Sequence, residues 1–141
     1  ALACAKAQNK PIYIDFTGHG CVNCREMEAN VWSDPRVLEM LRDEYVIIAL
    51  YVDDKTTLPE DEWMVNSKGK KKKTSIGSKN SAFQISKFEA NAQPYYCLMG
   101  HNGEVLVEPR SYNLDKDAFV EFLKKGVENF NKGVSIRNIY E

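Results

Sequence analysis

A Cys-x-x-Cys motif, Cys21 to Cys24, constrains the fold and chemistry of this chain more than any other feature. The motif follows a short apolar run, Ile12 to Phe16, that is typical of a strand covered on both faces, and helical spacing begins at Cys21. At the first turn of a helix, unpaired backbone N–H groups and the helix dipole favour a thiolate and lower its pKa. The second sulfur, one turn on, is near enough to close a disulfide. The pattern predicts that Cys21 attacks a partner disulfide and that Cys24 resolves the mixed disulfide.

A Cys-x-x-Cys motif also occurs in metal sites, in haem attachment and as a structural disulfide. A structural zinc site needs four ligands, usually two such pairs, and the other Cys and His residues form no second pair. Attachment of a c-type haem needs His directly after the second Cys, where Arg25 stands. A zinc site, a plain structural disulfide and a pair of buried thiols remain as alternatives. The placement of the motif between a strand and a helix favours redox chemistry over them.

Length and charge set the class of protein. The 141 residues suit one domain with its own core. A formal charge of -1 gives no general reason to expect nucleic acid or an anionic membrane as a partner. No apolar run approaches the roughly 20 residues of a membrane span. Because the chain begins at Ala1 without Met, we expect a piece of a longer or processed protein.

The predicted elements follow the order αβαβαββα. The segment from Val46 to Val52 has the strongest strand signal in the sequence. This order predicts an α/β fold with a central mixed sheet and helices on both faces. We expect one domain over residues 1–133, with a polar, lysine-rich insertion at about 54–79, and a C-terminal tail over 134–141. The insertion is expected to hold a short helix near 60–65.

Two acids lie close to the cysteine pair in the sequence. Asp15 interrupts the apolar strand, where an ionised carboxylate is costly to bury. A partly buried acid there has a raised pKa and can take the proton from Cys24, whereas the alternative is an ordinary strand-end acid that caps the next loop. Glu28 shares a helical face with both cysteines and would raise their pKa. Its alternative is a solvated side chain that pairs with Arg25 or a lysine.

Pro94 precedes another strand-like run and has no N–H to donate to a sheet. A cis Gln93–Pro94 bond would leave the backbone of Gln93 free to pair with a substrate chain. Since only about one X–Pro bond in twenty is cis, spacing alone favours a trans proline.

The order of these elements resembles the thioredoxin fold: a strand, the Cys-x-x-Cys helix, a central strand, a helix, a proline, a hairpin and a last helix. More narrowly, Ile14–Glu28 and Val31–Val37 resemble the C-terminal domain of the DsbD family of thiol:disulfide interchange proteins, and the resemblance covers roughly residues 1–54 and 80–131. It implies a periplasmic domain that takes electrons from a membrane-embedded domain of the same protein. The electrons pass to an N-terminal periplasmic domain, which reduces substrate proteins and the cytochrome c maturation pathway.

The resemblance also implies roles for individual residues. Cys21 matches the nucleophile and Cys24 the resolving cysteine, and Asp15 and Glu28 match two acids that modulate the cysteine pKa. Pro94 matches a cis-proline that faces the disulfide, so the resemblance implies a cis bond against the base rate. The residues expected to contact substrate are Gln93, Pro94, His19 and Gly20. No metal is expected, and no cofactor apart from the redox-active disulfide Cys21–Cys24.

Some features depart from the family pattern. Gly20 stands where thioredoxins commonly carry an aromatic residue, which would leave a barer docking surface. Cys4 and Cys97 are expected to be inert, Cys97 as a small buried strand residue, with a third redox thiol as its alternative. Lys68 and the run Lys70–Lys73 favour a solvated loop, and the alternative is a charge that steers an acidic partner.

The sequence therefore predicts a thioredoxin-fold dithiol:disulfide oxidoreductase that acts as a reductase relay. The expected electron donor is a membrane-embedded domain of the same parent protein, and the expected acceptor is a periplasmic disulfide-bearing domain. We expect no nucleic-acid partner, a monomeric isolated domain, and a periplasmic location tethered to the inner membrane through the parent. The alternatives are a free-standing thioredoxin-like reductase or isomerase, and a non-catalytic module in which the cysteine pair holds metal or is structural.

Overall fold

The computed structural model describes residues 1–141, which form five α-helices and seven strands. The helices are α1 (Leu2–Gln8), α2 (Val22–Met27), α3 (Pro35–Asp43), α4 (Ile76–Phe88) and α5 (Lys116–Lys132). The strands are β1 (Ile12–Thr17), β2 (Val46–Tyr51), β3 (Met64–Val65), β4 (Lys71–Lys72), β5 (Tyr95–Met99), β6 (Glu104–Val105) and β7 (Arg137–Asn138). A π-helical turn, Glu28–Trp32, continues α2, and a 3-10 turn covers Glu60–Glu62. None of the helices combines the length and the apolar composition that a membrane-spanning helix requires.

Five strands form one mixed sheet in the order β2-β1-β5-β6-β7. Strands β1 and β2 are parallel, with Thr17 opposite Tyr51 at their ends. Strand β5 runs antiparallel to β1 and places Tyr96 opposite Asp15. Because β1 and β2 are parallel, both strands end at the same edge of the sheet. The predicted α/β fold with a central mixed sheet is confirmed.

Strand β1 lies at the centre of the core, and all six of its residues are buried. Side chains alternate along a strand, so Tyr13 and Asp15 point to one face and Ile14 to the other. The Tyr13 face packs against Met27, Val31, Leu41 and Phe119 from the helices on that side. The Ile14 face packs against Ala5 and Phe88 of α1 and α4. Helices therefore cover both faces, as the sequence predicts.

The insertion at 54–79 differs from its prediction. The helical part is confined to the 3-10 turn, and the following residues form a two-stranded antiparallel ribbon in which Met64 pairs with Lys72. The predicted helix near 60–65 is wrong beyond Glu62, because the backbone becomes extended at Trp63 and then pairs with β4. Each strand of the ribbon has only two residues, which is too short for a periodic pattern to reveal.

Within residues 134–141, expected as a tail, Arg137 and Asn138 form a strand of the sheet. Gly133 ends α5 with a φ of 69° and turns the chain back. Strand β7 then pairs antiparallel with β6, with Asn138 opposite Glu104, and the Ile136 N–H donates to the Val105 carbonyl at 2.9 Å. The tail prediction is wrong for these residues, because β7 forms the edge of the sheet.

Candidate active site

The two cysteines of the motif form a disulfide at the start of α2. Cys21 is the N-cap residue of the helix, and its sulfur accepts a hydrogen bond from the Cys24 N–H at 3.1 Å. Cys21 is partly exposed, whereas Cys24 is only 1% exposed. One sulfur can therefore be reached by a large partner, and the other is shielded behind it.

The loop that leads from β1 to Cys21 is held by Asp53. One carboxylate oxygen accepts the His19 N–H at 2.9 Å, and the other accepts the Gly20 N–H at 3.0 Å. The hydrogen bonds from Gly20 and His19 hold the pKa of Asp53 below its ordinary value. The His19 ring also stacks on Tyr51, with ring centroids 4.1 Å apart. The end of β2 thus fixes the backbone immediately before Cys21.

Asp15 lies on the same face of β1 as Tyr13, among aromatic side chains. It is 4% exposed, and its Oδ1 has no hydrogen-bond partner. Burial raises the pKa of Asp15 to about 7, and repulsion from Glu28 adds to this, whereas Arg25 acts in the opposite direction. An acid in this state exchanges its proton near neutral pH.

Glu28 and Arg25, which act on the pKa of Asp15, form an ion pair with each other. The Arg25 Nη2 lies 3.3 Å from the Glu28 Oε2, and the Glu28 side chain is 36% exposed. The same Nη2 donates to the Thr17 hydroxyl at 2.9 Å and to the Gly18 carbonyl at 3.1 Å. Arg25 therefore ties the cysteine helix to the end of β1. The ion pair with Arg25, which was the alternative role for Glu28, is therefore present. Glu28 also contributes to the raised pKa of Asp15.

The Gln93–Pro94 peptide bond is cis, as the resemblance implies. One step beyond the paired residues, the β1–β5 register places Pro94 opposite Thr17, where the loop to the cysteines begins. The Gln93 side-chain amide donates to Gln84 Oε1 at 3.0 Å, and Gln84 donates in turn to the Ala92 carbonyl at 2.9 Å. No hydrogen bond within the chain uses the backbone N–H or C=O of Gln93. This strand entry is thus anchored from α4 by side chains.

The two remaining cysteines are free thiols in different environments. Cys97 lies on β5 opposite Ile14 and is fully buried, and burial raises the pKa of its thiol. Cys4 is exposed on α1, and its sulfur accepts a hydrogen bond from Gln8 at 2.8 Å. Cys97 is the small buried strand residue that the sequence favours. No group of three or more His, Cys, Asp or Glu residues has the arrangement of a metal site.

The sequence did not predict Asp53 as part of this site, nor the link that Arg25 makes to β1. Asp53 clamps the loop before Cys21, and Arg25 links the cysteine helix to β1. The position of Asp53 just after a strand parallel to β1 was an available sign, because polar residues at the carboxyl ends of parallel strands converge on one edge. The sequence marks Arg25 only as an alternative ion-pair partner of Glu28, and its bonds to the end of β1 depend on the fold.

A disulfide closed across the first turn of a helix, beside a central mixed sheet, defines this chain as a thiol–disulfide oxidoreductase. The chain belongs to the thioredoxin-like domain family, which matches residues 1–126. It is similar to the thiol:disulfide interchange protein DsbD of Salmonella typhi, with 43% identity over 47 residues. This stretch covers 33% of the chain and 8% of that relative, so the chain corresponds to a small part of the curated protein.

Solved structures share the fold at low sequence identity. A DsbH oxidoreductase is 18% identical with a TM-score of 0.65, and the match covers 91% of this chain and 79% of that one. The oxidised C-terminal domain of Neisseria meningitidis DsbD is 17% identical with a TM-score of 0.57, over 89% and 88% of the two chains. A thioredoxin from Thermus thermophilus is 18% identical with a TM-score of 0.64, over 94% and 85%. The thioredoxin fold predicted from the sequence is confirmed.

Proposed function

We propose that this domain is a protein-disulfide reductase that relays electrons by thiol–disulfide exchange. The donor is a membrane-embedded domain of a longer parent protein, and the acceptors are disulfide-bearing partners in the periplasm. The similarity to DsbD supports this direction, location and choice of partners. The observation that carries the proposal is the asymmetry of the disulfide, in which Cys21 is partly exposed and Cys24 is buried.

The exchange conserves electrons and atoms. In the reduced domain the Cys21 thiolate attacks one sulfur of the partner disulfide, so that a new S–S bond forms and the partner's second sulfur leaves as a thiolate. The Cys24 thiolate then attacks the Cys21 sulfur, which closes the intramolecular disulfide and releases the partner as a dithiol. Two electrons pass to the partner, and the protons of the two thiols end on its sulfurs. The donor then restores the dithiol.

The backbone supports the attacking thiolate. The Cys24 N–H donates to the Cys21 sulfur at 3.1 Å, and a donor in this position interacts more strongly with a negative sulfur than with a neutral one. Because Cys21 caps α2, the partial positive charge of the helix end acts in the same direction. These contacts favour Cys21 as the nucleophile.

Asp15 is the proton acceptor that we assign to Cys24. Cys24 is buried and must lose its proton before it resolves the mixed disulfide. With a pKa of about 7, Asp15 is a suitable base near neutral pH. Its unpartnered Oδ1 leaves an acceptor position on the carboxylate. Glu28 and Arg25 act on the charge of Asp15 from the helix surface.

Four further residues are assigned to the substrate surface. Gln93 and Pro94 lie beside the end of β1, and the backbone of Gln93 makes no hydrogen bond within the chain. An extended substrate segment can pair with that backbone as it presents its disulfide. His19 and Gly20 form the exposed loop before Cys21. Since Gly20 has no side chain, this loop leaves room for a bulky partner next to the nucleophile.

The direction of electron flow is tested by a redox titration. The protein is equilibrated in dithiol/disulfide buffers, alkylated, and its thiols are counted by mass for wild type and for the Cys21→Ser and Cys24→Ser variants. A reductase should show one two-electron couple nearer to about -270 mV than to about -120 mV, and either variant should abolish it. The double variant Cys4→Ser with Cys97→Ser is the control and should retain the couple. A couple near the oxidising value would overturn the reductase direction.

A further inference from the structure

Five lysines lie on an exposed ribbon that leaves the main sheet. We call residues 63–74, which contain β3, β4 and the turn between them, the lysine ribbon. Every residue from Val65 to Lys73 is exposed. The lysines are Lys68, Lys70, Lys71, Lys72 and Lys73. None of them takes part in an ion pair within the chain. The formal net charge of the whole chain is -1, so the residues other than these five lysines carry a net charge of -6.

The turn of the ribbon has a defined backbone. The Asn66 side-chain oxygen accepts the N–H groups of Lys68 at 2.9 Å and Lys70 at 3.0 Å, and the Asn66 N–H donates to the Lys70 carbonyl at 2.8 Å. The pairing of β3 with β4 places Lys71 and Lys72 on opposite faces of the ribbon. Charges on both faces disfavour packing of the ribbon against the domain, so the ammonium groups stand in solvent on an ordered scaffold.

The base of the ribbon is tied to the chain that leaves β2. The Leu58 N–H donates to the carbonyl of Thr74, the last residue of the ribbon, at 2.9 Å. Two residues beyond the ribbon, the Ile76 N–H donates to the Thr56 carbonyl at 2.8 Å. Gly77 lies so close to this segment that an added Cβ would be 2.5 Å from the Val52 carbonyl oxygen. The ribbon and the end of β2 are therefore connected by short backbone contacts.

The same segment holds the loop of the nucleophile. Asp53, adjacent to Asp54 at the base of the insertion, accepts the N–H groups of His19 and Gly20, and Gly20 precedes Cys21. Because β1 and β2 are parallel, the ribbon and Cys21 both follow strands that end at one edge of the sheet. A protein that brings its disulfide to Cys21 approaches this edge, from which the chain that carries the ribbon also leaves.

We propose that the lysine ribbon docks the protein partner of the exchange reaction by attracting acidic side chains that flank the partner's disulfide. The inference rests on the proposed function, since it concerns the partner that reaches Cys21. Five ammonium groups that take part in no intramolecular ion pair attract carboxylates at long range and speed encounter, and salt screens this effect. A protein is favoured over a lipid surface, because a lipid carries no disulfide to the edge where Cys21 lies.

The test uses two peptides closed by the same intramolecular disulfide, one flanked by glutamates and the other by glutamines. The dithiol form of the domain is mixed with each peptide, and the second-order rate constant of peptide reduction is measured at low and high salt. The ribbon variant carries Lys70→Gln, Lys71→Gln, Lys72→Gln and Lys73→Gln. The matched control variant carries Lys6→Gln, Lys124→Gln, Lys125→Gln and Lys132→Gln, which are exposed lysines of α1 and α5.

At about 20 mM salt, wild type should reduce the glutamate peptide about tenfold faster than the glutamine peptide, and about 500 mM salt should remove the difference. The ribbon variant should lose the preference but keep the wild-type rate on the glutamine peptide, and the control variant should keep both.

Equal rates of wild type on the two peptides overturn the docking proposal, and so does an equal loss of preference in the control variant. Binding of wild type to phosphatidylglycerol vesicles without any peptide preference also overturns it and assigns the ribbon to lipid. Reduction of neither peptide by wild type contradicts the proposed function instead.

Discussion

Asp15, buried on the central strand, lies in the electrostatic field of Glu28 on the turn that continues the cysteine helix. Burial raises the pKa of Asp15 from 3.8 to about 7, with a further contribution from Glu28. Arg25 opposes this effect, and it pairs with Glu28 at 3.3 Å. The protonation of the buried acid near neutral pH therefore depends on two charged residues at the helix surface.

Replacing Asp15→Asn should change how stability depends on pH. The folded protein holds the Asp15 proton up to about pH 7, whereas the unfolded chain releases it near 3.8, so this group lowers the free energy of unfolding as pH rises between those values. The change from 3.8 to about 7 corresponds to about 4 kcal/mol.

Urea denaturation of the oxidised protein at about pH 5 and about pH 8 measures this effect. Wild type should lose more of its unfolding free energy between the two pH values than Asp15→Asn does. Comparing the change in unfolding free energy between the two pH values is insensitive to any constant cost of burying the amide. An equal change in unfolding free energy for the two proteins would show that the pKa of Asp15 is not raised by folding.

Glu28→Gln and Arg25→Gln should shift the Asp15 pKa in opposite directions. Removing the Glu28 charge removes a repulsion and should lower the pKa, whereas removing the Arg25 charge should raise it. The side-chain carboxyl of Asp15, followed by NMR against pH, reports the value directly. Because burial is the largest cause, the pKa should stay above 3.8 in both variants. Shifts of the same sign in the two variants would contradict this account.

Asp53→Asn should loosen the loop before Cys21. The carboxylate accepts two backbone N–H groups, and an amide oxygen can replace only one of its two acceptor oxygens. We expect hydrogen exchange at His19 and Gly20 to speed up by about fivefold, the factor for one lost hydrogen bond. Asp54→Asn is the control, since Asp54 accepts from Thr56 instead. Unchanged exchange at both loop amides would exclude the clamp.

The two free thiols should differ in reactivity towards iodoacetamide under native conditions. Cys4 is exposed, so it should be alkylated rapidly. Cys97 is fully buried and its thiol pKa is raised, so it should react only after the protein unfolds. Peptide mapping by mass identifies the labelled residue in the oxidised protein. Rapid native labelling of Cys97 would reopen its role as a third redox thiol.

Local patterns were sufficient for the centre of the molecule. An apolar run followed by Cys-x-x-Cys and helical spacing specifies β1, the turn and α2, because each depends on neighbours in sequence. Asp15 could be singled out because an acid in an apolar strand is anomalous. The cis Gln93–Pro94 bond followed only from the family resemblance, since the base rate favours trans.

Pairing between segments explains what the sequence did not predict. Strands β3, β4 and β7 have two residues each, too few for a periodic pattern, and they exist through pairing with another segment. The Asp53 clamp joins residues 33 and 34 positions apart. Its geometry depends on the parallel register of β1 with β2, which the order of elements alone does not supply.

The division of labour between Cys21 and Cys24 is tested most directly by trapping the mixed disulfide. Cys24→Ser and Cys21→Ser, each combined with Cys4→Ser to remove the other exposed thiol, are reduced and mixed with a disulfide-bonded peptide. The adducts are then mapped by mass. Cys24→Ser should accumulate a covalent adduct on Cys21, because nothing resolves it, and Cys21→Ser should accumulate none. An adduct on Cys24 in the Cys21→Ser protein, formed as fast as the first, would contradict the account.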